Sequence, residues 1–209
     1  RNPLQYFTAF NTNGTYYTMN GLNWFTNNPT FPGFTMMGDP VIAYDSLGAV
    51  YYENMYGNGT SIYGTQIAVS TNNGLTWTYT TGNSGNDKNW IAADQSAGPY
   101  SNYVYTTMTN GSSCNVYRST NRGQSFVYAQ TLTPHGLPGA MPCVGPNMVG
   151  GNVPGGCVYV VTNSGSSFAA TYSFFMSTNG GASFNLMSQQ GFTGYVGTNV
   201  GGRNSVQNM

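Results

Sequence analysis

Short runs of apolar and polar residues, separated by Gly- and Asn-rich breaks, recur along almost the whole chain. In one stretch they cover Val41 to Asp45, Ala49 to Met55, Ile62 to Ser70 and Thr76 to Thr80. Runs of this length that are rich in Val, Ile, Thr and aromatic residues are typical of β-strands, whereas an amphipathic helix shows apolar residues with a 3.6-residue period. That helical period is missing from the sequence, so the pattern predicts an all-β protein.

The same succession of four runs returns further along the chain. Trp90 to Asp94, Tyr103 to Met108, Cys114 to Ser119 and Ser125 to Thr131 repeat it, and a later copy has a longer glycine-rich first loop that runs from Cys143 to Cys157. Because short connections join neighbouring strands in antiparallel order, four consecutive runs predict one four-stranded antiparallel sheet. The chain is therefore predicted to be a series of such sheets.

One octapeptide, called the octad below, marks the break before the last run of each repeat. Full octads begin at Ser70, Ser119 and Ser177, and a copy that is one residue shorter begins at Thr18. Ser and Asn side chains bond nearby backbone amides, Gly supplies a positive φ, and we expect the closing aromatic residue to enter the core. The octads therefore predict hairpin turns, whose defining residues are Ser70, Asn72, Gly74, Trp77, Ser119, Asn121, Gly123, Phe126, Ser177, Asn179, Gly181 and Phe184.

The spacing of the octads predicts the size of the repeating unit. Their closing aromatic residues lie at positions 24, 77, 126 and 184, at spacings of 53, 49 and 58 residues. A period of roughly 40 to 50 residues is typical of propeller blades. We expect units close to 1–33, 34–83, 84–131 and 132–190 within a single domain, with 191–209 beginning a further unit.

The octad Ser-x-Asn-x-Gly-x-Ser/Thr-aromatic resembles the Asp-box, or BNR repeat, of sialidase-like propellers, with Asn in place of the usual Asp. The runs from Gly38 to Asp45 and from Asp87 to Asp94 also resemble the innermost strands of such proteins. The resemblance implies a β-propeller of four-stranded antiparallel blades, about four of which are present, with an Asp-box turn between the third and fourth strands. Because closed rings of this kind ordinarily contain more blades, we expect missing sequence or another chain to complete the ring.

The charge and the hydropathy of the chain limit the classes of partner that we expect. Charged residues make up 5% of the chain, five basic and five acidic, while aromatic residues make up 15%, which disfavours disorder. Lys88, Arg118, Arg122 and Arg203 are scattered and form no basic stripe, so nucleic acid is not an expected partner. No run approaches the roughly 20 apolar residues of a membrane span, and the N-terminus lacks the apolar core of a signal peptide, so we expect any export signal to have been removed.

Cysteines and sequons indicate the compartment. Cys143 and Cys157 flank the glycine-rich loop and are predicted to form a disulfide, while Cys114 is interpreted as a small buried thiol. Asn-x-Ser/Thr sequons at Asn13, Asn58 and Asn110 are candidate N-glycosylation sites. Together these features favour an extracellular or cell-surface location. No metal site or cofactor is predicted, because no Cys-x-x-Cys pair or His cluster accompanies the cysteines.

Catalytic residues are poorly represented. The resemblance implies that a sialidase-like enzyme would need an arginine cluster, a Tyr with a neighbouring Glu and an acid, but Glu53 is the only glutamate and no arginine triad can be assembled. A generic glycosidase needs two carboxylates roughly 5 to 10 Å apart, and the weak candidates are Asp39 and Asp87. Both carboxylates also have a structural interpretation, in which they bond local backbone donors. A single histidine, His135, makes no triad.

Two functions therefore remain open. The first is an extracellular or surface-displayed propeller that acts as a binding, adhesion or assembly module, with glycans or other surface proteins as partners. The alternative is an exo-acting glycoside hydrolase of sialidase-like type whose catalytic residues lie mostly outside this segment. Tyrosines such as Tyr51, Tyr52, Tyr103 and Tyr105 could stack on sugar rings, but alternating Tyr residues on strands favour sheet packing.

Overall fold

A computed structural model describes residues 6–10, 14–136, 139–145, 155–165, 169–191, 199–200 and 203–204. Within these ranges all regular secondary structure is β-strand. The strands are β1 (Tyr6–Phe10), β2 (Gly14–Thr18), β3 (Thr35–Tyr44), β4 (Val50–Gly57), β5 (Ile62–Ser70), β6 (Thr78–Ser84), β7 (Asn89–Ala93), β8 (Val104–Asn110), β9 (Ser113–Ser119), β10 (Val127–Leu132), β11 (Met141–Gly145), β12 (Cys157–Gly165), β13 (Ala169–Ser177), β14 (Asn185–Gly191), β15 (Asn199–Val200) and β16 (Arg203–Asn204).

The strands form three antiparallel sheets of four strands each, in simple sequence order. The first sheet contains β3 to β6, the second contains β7 to β10 and the third contains β11 to β14. This arrangement confirms the prediction of an all-β chain built from four-stranded antiparallel sheets. The first predicted unit contributes the pair β1–β2 and a bridge between Tyr17 and Phe25, and most of 191–209 lies outside the described residues.

The three sheets stack face to face, and a separate apolar core fills each junction. Strand β7 packs against β3 on one side and β11 on the other, so the first strands of the sheets lie side by side. Between the first and second sheets the core includes Tyr51, Ile67 and Val104. Tyr52, which follows Tyr51 on β4, points to the opposite face of the sheet and packs with Phe31, because successive residues of a strand face opposite sides. The first sheet therefore buries both faces, as a blade inside a radial stack must.

Each full octad forms the turn between the third and fourth strands of its sheet. In the second sheet, the Ser119 hydroxyl donates to Asn121 Oδ1 (2.8 Å) and accepts from Gly123 N (2.8 Å). Asn121 Oδ1 also accepts from Ser125 N (3.0 Å), and its Nδ2 donates to Ser125 Oγ (2.9 Å). The octads at Ser70 and Ser177 repeat these hydrogen bonds. The side-chain amide thus acts as both acceptor and donor, which a carboxylate could not do.

The aromatic residues that close the octads differ in burial. Phe184 is 5% exposed and belongs to the core between the second and third sheets. Trp77 and Phe126 are half-buried against the edges of their cores. Trp24, at the end of the short octad, is 48% exposed. The expectation that each closing aromatic enters the core therefore fits Phe184 fully, Trp77 and Phe126 in part, and Trp24 not at all.

The predicted disulfide does not form in this structure. Cys143 lies on β11 opposite Tyr159, and Cys157 lies on β12 opposite Gly145. This register offsets the two cysteines by two residues along the paired strands, and both thiols are free. Burial raises the pKa of Cys143 and of Cys157. Cys114 is fully buried, as expected of a small core thiol, and burial raises its pKa to about 12.

Candidate functional site

The candidate site lies at the end of the stack where the first strands of the sheets begin, called the entry face below. Asp39 sits in an irregular segment of β3, where the pairing with β4 shifts register, and its φ is 53°. Lys88 immediately precedes β7. Lys88 Nζ lies 3.3 Å from Asp39 Oδ2 and 5.9 Å from the centre of the Trp90 ring. Strand β3 and the start of β7 thus bring one carboxylate, one ammonium group and one aromatic ring together.

The loop that leads into β7 is held by the turn between β8 and β9. Asn86 N donates to Thr109 O (2.9 Å), and Gly111 N donates to Asn86 Oδ1 (3.2 Å). Asp87, half-buried, follows in this loop. The exposed sequon residue Asn110 lies in that turn, and the exposed Asn58 lies in the equivalent β4–β5 turn of the first sheet. Asn13 lies outside the described residues.

An aromatic group that the sequence interpretation missed also lies at the entry face. Phe34 and Tyr56 pack edge to face with ring centres 5.0 Å apart, and Tyr56 packs on Tyr63 at 6.2 Å. Phe34 is 42% exposed and Tyr63 is 51% exposed. The backbone of Tyr63 accepts a hydrogen bond from Gly85 N (3.4 Å), so the loop that carries Lys88 starts beside this group. The signal was available as aromatic residues that flank the Asn58 turn.

The tyrosines singled out from the sequence are structural instead. Tyr51, Tyr52 and Tyr105 are 0% exposed and form the cores between sheets. Tyr103 packs against the core between the second and third sheets and against the ring of Tyr100. None of the three fully buried rings can stack on a ligand without unfolding the junction that contains it.

The five carboxylates of the chain separate into two classes by burial. Asp45, Glu53 and Asp94 are 0% exposed, whereas Asp39 and Asp87 are half-buried at the entry face. The structure therefore places the two weak catalytic candidates on the same face, with Asp39 in an ion pair with Lys88. Any acid–base chemistry by accessible carboxylates of this chain has to use these two groups.

Glu53 is buried in a polar network that joins the first two sheets. On β4, its Oε1 accepts hydrogen bonds from Thr65 on β5 (2.8 Å) and from Thr106 on β8. Its Oε2 accepts from Asn89 Nδ2 on β7 (3.1 Å). Burial raises the pKa of Glu53 to about 7, although hydrogen bonds from Thr106, Asn89 and Thr65 lower it. The residue lies beneath the entry face but has no access to solvent.

His135 plays a similar structural part between the second and third sheets. It lies in the loop between β10 and β11 and is only 2% exposed. Its Nε2 is 2.8 Å from Thr109 Oγ1, and its Nδ1 is 3.5 Å from Asn163 N. Burial lowers the pKa of His135 to about 4. The imidazole is therefore neutral over most of the physiological pH range.

Two classes of feature are not found in the part of the chain that the structure describes. Those residues contain no group of three or more His, Cys, Asp or Glu side chains that could hold a metal ion. The same residues contain no helix of the length and apolar character that a membrane crossing requires.

The fold is similar to that of several solved structures at low sequence identity. A protein of unknown function from Dyadobacter fermentans aligns with a TM-score of 0.53 and 12% identity over 85% of this chain and 57% of its own. A mutant of the NanB sialidase from Streptococcus pneumoniae aligns with a TM-score of 0.53 and 12% identity, and NanB with Optactamide gives 0.54 and 13%. Both NanB alignments cover 85% of this chain and 28% of that protein.

These likenesses show a sialidase-like propeller fold. No protein-family model matches the chain, and no curated protein sequence matches it. The chain spans 28% to 57% of the length of the solved structures named above. At 12% to 13% identity the similarity concerns the path of the backbone and carries no information about activity.

Proposed function

We propose that this chain is part of an extracellular or cell-surface propeller that binds glycans at its entry face. The observation that carries the proposal is the exposed aromatic group of Phe34, Tyr56 and Tyr63, which lies at the same face as the Asp39–Lys88 ion pair. Exposed, contacting aromatic rings are costly to leave in water unless they have a partner.

The chemistry of the entry face suits a sugar. A pyranose presents an apolar C–H face, which packs on an aromatic ring, and hydroxyl groups, which need donors and acceptors. Phe34 and Tyr63 supply the rings, while Asp39 and Lys88 supply an acceptor and a donor on neighbouring inner strands. A few polar groups beside aromatic surface are the usual composition of a small-molecule site.

Binding is favoured over hydrolysis by the burial of Glu53. Two-carboxylate glycosidases need one group that holds a proton and one that is ionised. Asp39 is engaged in an ion pair with Lys88. Glu53, with a pKa of about 7, has the character of a proton donor but is fully buried. Glu53, the described carboxyl group with a raised pKa, therefore cannot reach a sugar at the entry face.

A glycan array of the purified chain tests the proposal. We expect Tyr63→Ala and Phe34→Ala each to weaken glycan binding at least tenfold, since each removes a stacking ring. The matched control is Tyr128→Ala, because Tyr128 is 55% exposed and lies on β10, away from the entry face. Equal losses in all three variants, or no binding by the unaltered chain, would contradict the proposal.

The alternative, an exo-acting glycoside hydrolase, is favoured by one observation: Asp39 and Asp87 are both at the entry face. Chromogenic glycosides distinguish it from binding alone. Hydrolysis by this chain that disappears in both Asp39→Asn and Asp87→Asn would establish the alternative. Glycan binding without turnover supports the binding module.

The extracellular location and the completion of the ring have their own support. Asn58 and Asn110 are both exposed in equivalent turns, which leaves room for a glycan. Intact-mass analysis of the natively produced protein tests this location, and an unmodified mass would argue against it. On the third sheet, Phe174 is 39% exposed on the face opposite to the buried Phe175, so a further blade, from missing sequence or another chain, is proposed to cover it.

A further inference from the structure

The junction between the first and second sheets contains an ion pair between Asp45 and Arg122, with which the next junction can be compared. Asp45 follows β3, is 0% exposed, and uses Oδ1 to accept hydrogen bonds from Leu47 N (3.0 Å) and Ala49 N (2.8 Å). Its Oδ2 accepts from the Tyr51 hydroxyl (2.9 Å) and from Arg122 Nε (2.8 Å). Arg122 belongs to the octad of the next sheet, so the second sheet supplies the cation for the first.

The junction between the second and third sheets contains an equivalent acid, Asp94, and an equivalent phenol, Tyr105. Tyr105 pairs with Ala92, two residues before Asp94, just as Tyr51 pairs with Ala43, two residues before Asp45. Asp94 Oδ1 accepts a hydrogen bond from Ser96 N (2.7 Å). Asp94 Oδ2 and the Tyr105 hydroxyl are fully buried, and within the described ranges neither has a hydrogen-bond partner.

The missing element is the cation. The octad position equivalent to Arg122 is Gly180 in the third sheet, and a Cβ there would lie 2.5 Å from the ring of Tyr100. Arg118 is nearby, but its Nη1 donates to the carbonyl oxygens of Gly180 (2.8 Å) and Asn179 (3.4 Å). The other two cationic side chains that the structure describes, Lys88 and Arg122, are paired with Asp39 and Asp45.

A cavity of about 380 Å³ lies directly beside this buried acid. Its lining residues are Ala93, Gln95, Ser96, Val144, Gly145, Gly155 and Gly156. A Cβ built on Gly156 would lie 2.6 Å from Asp94 Oδ2 and 3.3 Å from Ser96 Oγ. Asp94 Oδ2 therefore lies against Gly156, a lining residue of the cavity, at a distance that leaves no room for a side chain at this position.

We propose that this cavity binds a cationic nitrogen group, a guanidinium or a primary ammonium, through Asp94 Oδ2 and the Tyr105 hydroxyl. The bound cation takes the place that Arg122 holds at the first junction. A buried carboxyl oxygen without a partner is costly, and a charge-assisted hydrogen bond is the interaction that offsets this cost best. Arg122 shows that a guanidinium fits the same acid and phenol in this fold.

This site is separate from the entry face and does not depend on the glycan proposal. Lys88 immediately precedes β7, and Asp94 immediately follows it. Six residues of extended backbone separate them by about 20 Å. Loss of glycan binding at one end and loss of cation binding at the other can therefore be measured independently.

Nuclear magnetic resonance titration of the complete chain with methylguanidinium chloride tests the proposal. We expect saturable shifts of the Gly156 and Ser96 amide signals, and no such shifts with methylurea, which has similar donors but no charge. Sodium chloride at matched concentration controls for ionic strength. Asp94→Asn keeps the acceptor for Ser96 N and should weaken the binding at least tenfold, whereas Asp39→Asn at the entry face should leave it unchanged.

Other ligands distinguish the sources of the cation. Methylammonium that competes with methylguanidinium would extend the site to primary amines, and an arginine-containing peptide that binds more tightly than free arginine amide would identify a protein side chain as the source. Calcium-dependent shifts that Asp94→Asn abolishes, without any effect of the nitrogen cations, would overturn the proposal in favour of a metal. Unchanged Gly156 and Ser96 signals with every cation would also overturn it.

A second variant keeps the test independent of the stability of Asp94→Asn. Gly180→Arg combined with Tyr100→Ala places a guanidinium at the octad position of Arg122 and removes the ring that blocks it. We expect this double variant to lose methylguanidinium binding, because its own cation occupies the site. The matched control, Tyr100→Ala alone, should still bind. Undiminished binding by the double variant would contradict the proposed position of the cation.

Discussion

The buried Glu53 provides a sharp test of the polar network between the first two sheets. Its pKa is about 7 in the folded chain, against an ordinary value of 4.5. A difference of about 2.5 pKa units corresponds to roughly 3 kcal/mol. Since the folded pKa is the higher one, the fold binds a proton more tightly than the unfolded chain. The favourable contribution is complete below pH 4.5 and is lost as the pH rises through 7.

His135 acts in the opposite direction. Its pKa falls from 6.5 to about 4 on folding, so its neutral form stabilises the fold above pH 6.5 and that contribution is lost as the pH falls through 4. This loss also amounts to roughly 3 kcal/mol. Between about pH 4.5 and 6.5 the two effects offset each other. The free energy of unfolding is therefore expected to depend only weakly on pH in this range, because the contributions of Glu53 and His135 cancel.

The variant Glu53→Gln removes the pH-dependent contribution of Glu53 and leaves that of His135. Thr65 and Thr106 can still donate to the amide oxygen, and turning the Asn89 side chain presents its buried, unpartnered Oδ1 to the new N–H group. We expect the variant to be more stable than the unaltered chain by up to about 3 kcal/mol at pH 8, with no difference below pH 4.5.

Urea denaturation at intervals between pH 4 and pH 8 measures the effect. The unaltered chain should show a nearly flat free energy of unfolding from pH 4.5 to 6.5, while Glu53→Gln should lose stability steadily as the pH falls, because His135 is no longer opposed. Parallel curves for the two proteins across this range would refute the reasoning.

Three further changes test the octads and the junction that they close. Gly123→Ala should destabilise the chain by about 2 kcal/mol or more, because φ is 79° and the new Cβ would lie 2.8 Å from the Tyr51 ring; a change within error would show that the turn relaxes freely. Arg122→Gln should cost about 1 kcal/mol, since the arginine is 38% exposed and water screens its pairing with Asp45; Arg122→Lys is the matched control. Asn121→Ala should lower the free energy of unfolding by about 1 to 2 kcal/mol, whereas Asn121→Asp should cost less, because the hydroxyl opposite can rotate to donate. Thermal and urea denaturation measure all three, and equal effects of the last two variants would contradict the account of the turn.

The pKa of Asp45 reflects how far the octads act across junctions. Burial raises it, but hydrogen bonds from Arg122, the Ala49 backbone and Tyr51 outweigh that effect and hold the pKa of Asp45 below its usual value. The partner Arg122 lies 77 residues away in sequence. This pairing could not be read from the chain, because the sequence presents Arg122 only as an ordinary turn residue.

Local chemistry made much of the fold predictable. The hydrogen bonds of an octad join residues two to four positions apart, as from Gly74 N to the Ser70 hydroxyl, so the turn is encoded where it forms. The strand runs between octads are short and separated by turn residues, and the four-stranded sheets follow from their order. Of the weak candidates, Asp87 lies in the loop before β7, whereas Asp39 lies within β3, and its ion pair with Lys88 was not foreseen.

The sequence by itself determined the β-strands, the turns and the repeat, because these depend on interactions between near neighbours. Only the tertiary structure decided which side chains are buried together. Glu53 and Thr106 are 53 residues apart, and Thr109 and His135 are 26 apart, yet each pair meets at a junction between sheets. The stacking of blades sets those meetings, and with them the burial, the pKa values and the partnerless acid at Asp94, since desolvation depends on everything that surrounds a group.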